Sequence, residues 1–85
     1  MKFPERENDM DVLEIGRAVR TARKAAGLRQ DALAGAAGVG LRFIVDLEAG
    51  KPTVQAAKML RVLDTLGIHV ILQIPAGDIV RGSRF

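Results

Sequence analysis

Leu28-Arg29-Gln30-Asp31-Ala32-Leu33-Ala34, then Gly38-Val39-Gly40, then Ile44-Val45-Asp46-Leu47-Glu48-Ala49-Gly50 is the stretch that decides the fold. Its apolar residues fall at helical spacing on both sides of a glycine pair, so it reads as two short helices joined by a glycine-pivoted turn. The first is predicted over about Gln30–Ala37, with Leu33, Ala34 and Ala37 buried and Gly38 as terminator. Val39 plugs the turn. The second is predicted over about Leu41–Glu48, with Ile44 and Leu47 facing inward, Gly50 stopping it and Pro52 blocking its continuation.

Working outward, Ile15, Ala18, Val19, Ala22 and Ala26 recur at helical spacing over about Val12–Ala26, with Arg17, Arg20 and Lys24 on the opposite side and Gly27 placed as a left-handed cap. Downstream, Thr53 is a good N-cap for a helix over about Val54–Leu66. Its inner face carries Leu60, Leu63 and Ala56 or Met59, its wet side Lys58, Arg61 and Asp64, and Gly67 closes it. After Gly67 the period changes to two. Ile68, Val70, Leu72 and Ile74 alternate with His69, Ile71 and Gln73, as in a strand with one buried face, and Pro75 and Gly77 end it. The chain thus divides into an acidic flexible arm (1–11), a helical domain (12–67), a strand (68–75) and a tail (76–85).

A lone strand cannot satisfy its own backbone donors and acceptors. The simplest remedy is the same strand from a second copy, paired antiparallel about a two-fold axis, with Ile68, Val70, Ile71, Leu72 and Ile74 forming the homodimer interface. The alternative is a hairpin through Pro75-Ala76-Gly77 onto residues 78–81.

Composition narrows the function. The chain has 85 residues and no cysteine, so disulfides and thiolate metal sites are excluded and a reducing cytoplasm is the expected setting. Residues 1–11 carry no apolar signal-like region, and no run approaches the ~18 apolar residues of a bilayer span, so no membrane association is expected. Residues 1–14 hold five acids against two bases, whereas residues 15–85 hold eleven bases against five acids. A basic body suits a polyanionic partner. Catalysis has no support: Ser83 is the only serine and His69 the only histidine, with no phosphate loop, acid–base pair, metal cluster or cofactor motif.

Gln30, Leu33, Ala34, Gly38, Val39, Ile44, Glu48 and Gly50 follow a Gln-x-x-Leu-Ala, Gly-Val, Ile-x-x-x-Glu-x-Gly pattern, so about Ile15–Leu66 resembles the Xre/Cro-type helix-turn-helix family. The fourth helix, Gly67 and the strand after it look like the HipB-like antitoxins. That resemblance implies a mostly α fold: a phage-repressor-like domain of four to five helices with one C-terminal β-strand pairing across a homodimer. It also implies a repressor that binds palindromic double-stranded operator DNA, autoregulates its operon and neutralises a HipA-like kinase toxin. The alternatives are a stand-alone Xre-type regulator, or a toxin-neutralising module with weak DNA binding. DNA binding would place the protein at the nucleoid.

On this frame, Gln30 reaches a phosphate beside the free N–H groups that open its helix, and Asp31 follows it. Arg29 stands where the family usually has a threonine cap, giving up capping for a cation near the backbone. Gly40 stands where serine or threonine commonly caps the recognition helix, and glycine allows close approach. Leu41, Arg42, Phe43, Val45 and Asp46 form the groove-facing end. Arg42 is the candidate guanine reader, Leu41 and Val45 candidate thymine-methyl contacts, and Asp46 either accepts from cytosine N4 or repels phosphate. Phe43 is a buried anchor or a groove contact. Arg17, with Arg20 and Lys24, is a solvated face or crosses the DNA backbone. Glu48 is expected to pair with Arg20 or Arg23. Ile79, Val80 and Phe85, flanked by Arg81 and Arg84, are the candidate toxin contact, with plain disorder as the alternative.

Overall fold

The computed structural model describes residues 11–52, 55–75 and the backbone of 79–81. Its elements are α1 (Val12–Ala25), α2 (Gln30–Ala37), α3 (Leu41–Glu48), α4 (Ala56–Thr65), β1 (Ile71–Gln73) and β2 (Ile79–Arg81). α2 and α3 have the bounds that the sequence pattern predicts. Asp11, read from sequence as the end of the arm, instead caps α1: its carboxylate accepts from the Glu14 N–H at 2.9 Å. The rest of the predicted arm, 1–10, lies outside the described residues.

Every helix ends the same way. The N–H of the residue after a glycine bonds to the carbonyl five residues back: Leu28 to Arg23, Val39 to Ala34, Lys51 to Asp46 and Ile68 to Leu63. This double-bonded ending needs a left-handed residue, and Gly27, Gly38, Gly50 and Gly67 supply it at φ 72, 70, 79 and 73°. The sequence reading named all four terminators.

The core comprises Val19, Leu33, Ala34, Ala37, Ile44, Leu47, Val62 and Leu63. α3 lies between α1 and α2, and α4 closes the other side of α2. On α1 the inward face differs from the expected one. Ala18 and Ala26 are exposed, while Gly16 and Arg23 are buried. A Cβ at Gly16 would overlap the Leu47 carbonyl oxygen, so α1 and α3 meet backbone to backbone. Small-residue contact of this kind has no apolar side chain to give it away. On α4, Val62 and Leu63 are buried, Met59 and Leu60 are half-buried, and Ala56 is exposed. That helix begins after Gln55, and the expected cap at Thr53 lies outside the described residues.

The C-terminal strand is shorter than predicted, and the chain supplies it with a mate. β1 pairs antiparallel with β2 in the register Ile71 to Arg81, Leu72 to Val80 and Gln73 to Ile79. The hairpin alternative therefore describes one edge of β1. A local partner thus reaches that edge without a second molecule. Ile68 and Val70 precede the strand and pack partly against the helical core. Ile71, Leu72 and Ile74 project into solvent, 58, 56 and 40% exposed.

Candidate nucleic-acid interface

The α2–α3 corner is held by one polar node. Arg23 on α1 is buried, and its Nε and Nη2 donate to the two carboxylate oxygens of Glu48 on α3, at 2.6 and 2.9 Å. Its Nη1 donates to the Leu28 carbonyl at 2.9 Å, in the turn that leads into α2. Gln30, the first residue of α2, donates its Nε2 to Glu48 at 3.2 Å. Three helices thus share one carboxylate. Burial works against the charged form of Glu48, but the hydrogen bonds from Arg23 and Gln30 and the positive charges of Arg23 and Arg20 outweigh it. They hold its carboxyl below the usual carboxylate range. The Arg23 guanidinium is correspondingly pushed up, chiefly by its hydrogen bond to Glu48.

Of the two partners offered by the sequence, Arg23 takes Glu48, and Arg20 stays on the rim. Gln30 was expected to spend its amide on an external phosphate. Here the NH2 end is turned toward Glu48 instead. Gln30 lines a shallow open depression together with Arg20, Arg23, Val45, Glu48 and Ala49.

α3 projects its other face outward because Ile44 and Leu47 fix the inner one. Leu41 and Arg42 are exposed, and Val45 and Asp46 are half-buried. Gly40 opens the helix in an extended conformation, with no side-chain cap. Phe43 is half-buried and packs against the core, with the Lys58 ammonium 6.0 Å from its ring centre, which favours the anchor reading. At the start of α2, Arg29 extends into solvent and lies 3.6 Å from Asp31, whose carboxylate accepts from the Ala32 N–H. Arg17 is exposed on α1.

Lys51 is a residue the sequence reading left out. The glycine turn that ends α3 carries Lys51 back over the helix, and its Nζ sits 3.7 Å from Asp46. Asp46 also meets Arg42 Nε at 3.2 Å, one turn away on α3. The signal that could have found Lys51 is its position one residue after a terminating glycine, where the side chain normally folds back onto the preceding turn.

The structure brings Arg29, Gln30, Asp31, Gly40, Leu41, Arg42, Val45 and Asp46 to the α2–α3 corner. Ile79 and Val80 lie on β2, and Phe85 falls outside the described residues. Among the described residues, no group of His, Asp and Glu side chains could hold a metal ion. No helix there is long and apolar enough to cross a membrane.

Two short helices at a glycine corner, the second presented outward over a buried buttress, define a DNA-binding helix-turn-helix transcriptional regulator. The chain belongs to that family: the helix-turn-helix domain family matches residues 14–71. A relative from Sinorhizobium fredii, named as an uncharacterised HTH-type transcriptional regulator y4mF, is 63% identical over 62 residues, 73% of this chain and 82% of its own. Among solved structures, the restriction-modification controller protein C.AhdI from Aeromonas hydrophila is similar, with TM-score 0.60 and 28% identity over 67% of this chain and 86% of its own. HipB in the HipA–HipB–O2–O3 complex superposes with TM-score 0.70 at 17% identity, over 82% of this chain and 99% of HipB, a likeness of fold.

Proposed function

We propose that the protein is a sequence-specific repressor that binds a palindromic operator as a homodimer, with α3 in the major groove. The observation that carries this reading is the exposure of Leu41 and Arg42 on a helix whose opposite face is locked by Ile44, Leu47 and the Arg23–Glu48–Gln30 node. Such a buttress presents a fixed surface to a groove, and Arg17, Arg20, Arg29 and Lys51 supply cations around it for phosphates. In the dimer, the free edge of β1 and the exposed Ile71, Leu72 and Ile74 meet the same elements of a second copy. Two α3 helices about 34 Å apart then engage successive major grooves. The expected compartment is the cytoplasm.

The finer part of the reading is an antitoxin role of the HipB kind, with autoregulation of the operon and neutralisation of a HipA-like kinase. What supports it is the extent of the likeness: 99% of HipB is covered, and HipB itself is seen in complex with HipA and with an O4 20mer. A stand-alone regulator lacks a toxin partner. A neutralising module with weak DNA binding lacks a footprint.

The test is a titration of the purified protein against the duplex upstream of its own reading frame at two salt concentrations. Binding that weakens steeply with salt, together with loss of discrimination in Arg42→Ala, supports the repressor. No protection of that duplex at low salt removes it. Co-purification with the product of the adjacent reading frame, and relief of that product's toxicity, tests the antitoxin role separately.

A further inference from the structure

We infer that Asp46 is a specificity-determining positioning residue, which pairs with Arg42 and keeps its guanidinium on the groove-facing side of α3. This rests on the base-reading role proposed above for Arg42. The Arg42 side chain is 78% exposed, whereas that of Asp46 is only 25% exposed, so the carboxylate is the fixed member of the pair. The contact is an ion pair, Arg42 Nε to Asp46 Oδ1 at 3.2 Å, one helical turn apart. An arginine recognises guanine through two N–H groups aimed at O6 and N7. An ion pair that keeps the Arg42 guanidinium beside Asp46 leaves those N–H groups near the groove and away from the phosphates.

Asp46 is itself anchored from the other side. At the ends of α2 and α4 the residue after the glycine and the residue whose carbonyl its N–H reaches are both apolar, Val39 with Ala34 and Ile68 with Leu63. At the end of α3 that place is taken by an ion pair, Lys51 Nζ with Asp46 Oδ1 at 3.7 Å. The turn thus brings a second cation to the same oxygen that meets Arg42. In water an exposed pair of this kind holds weakly. In a groove that excludes water the attraction strengthens, and the arrangement becomes selective.

A carboxylate on a DNA-facing helix has a second effect. It opposes any seating that depends on phosphates alone, where Arg42 would otherwise swing toward the backbone and bind every sequence alike. Asp46 thus lowers affinity for random DNA while sharpening the preference at one base pair.

The experiment is selection from a duplex library with a randomised core of about two helical turns, using the full chain and reading the enriched sequences. The wild type enriches a consensus with a guanine at the Arg42 position of each half-site. Asp46→Asn is expected to bind non-enriched duplex about five-fold more tightly at low salt. Its ratio of enriched to non-enriched binding falls about ten-fold, with the guanine blurred. Arg42→Ala removes the guanine, and adding Asp46→Asn to it changes that position no further. Lys51→Ala weakens binding to all duplexes and blurs the guanine less than Asp46→Asn does. Arg42→Lys keeps the charge but lacks the fork, so it loses the guanine even if Asp46→Asn proves unstable in a thermal melt. An Asp46→Asn consensus and ratio equal to the wild type's overturn the inference alone, as does a guanine retained by Arg42→Lys. A wild type that enriches nothing overturns the repressor reading with it.

Discussion

The helical unit and the hairpin are built on opposite terms. Among the described residues from Val12 to Gly67 the chain buries eight apolar side chains, closes each helix with a glycine turn and pairs its one buried guanidinium. Beyond that unit, Ile71, Leu72 and Ile74 are turned outward beside a ladder of three residue pairs. A two-stranded ladder of this length is marginal in water by itself. The contrast shows that apolar content does not make a core; burial does. The helical unit buries its apolar face within one chain, while Ile71, Leu72 and Ile74 stay on the surface.

Variants that damage the helical unit should therefore unfold the protein, while hairpin variants should leave folding intact. The largest loss is expected for Leu33→Ala, which opens a cavity in a fully buried position and costs about 4 kcal/mol in a denaturant titration. Glu48→Ala follows at about 3 kcal/mol, because it strands the Arg23 guanidinium among three helices. A loss as small as that of an exposed ion pair would refute the nodal role of Glu48. Gly16→Ala should cost about 2 kcal/mol, since its methyl group forces α1 away from the α3 backbone. The smallest effect on folding is expected for Ile71→Ser with Leu72→Ser, within about 0.5 kcal/mol for the isolated chain. The same pair should weaken self-association in sedimentation. If it costs as much as Leu33→Ala at concentrations where the chain is monomeric, the distinction between the two regions is lost.

Acid separates the regions further. The Glu48 carboxyl titrates below its unfolded value, so its contribution is fully present above about pH 4.3 and is lost as pH falls through the lowered folded value. The Arg23 shift is upward from a value already far above neutrality and plays no part in this window. Urea midpoints taken from pH 7 to pH 3 should fall more steeply for the wild type than for Glu48→Gln. Parallel curves would mean that the node does not couple to folding.

The sequence disclosed what local chemistry controls. The bounds of α2 and α3 follow from apolar spacing between glycines, and the four helix ends follow from residues that alone adopt a left-handed turn cheaply. It also narrowed the partner of Glu48 to two arginines. What it hid depends on contacts distant along the chain. The side of α1 that faces inward is set by Gly16 against Leu47 and Arg23 against Glu48, a glycine and a cation that apolar counting passes over. β2 was legible only as an alternative, because three residues beside a proline and a glycine carry little alternation. Around the candidate interface, exposure of Arg42 and Leu41 followed from helical phase, but the link from Asp46 to Lys51 required the path of the backbone after Gly50.

The single carboxylate of Glu48, shared by α1, α2 and α3, makes these helices a tripod bolted at one joint. Tilting any leg means lifting a buried ion from its socket, so slow, small-amplitude breathing is the most such a joint permits. Should the proposed dimer meet a length of duplex that does not match its spacing, the tripod will not yield. Accommodation then falls to the β1–β2 ribbon, or to the duplex itself, which bends at a cost that depends on its own sequence.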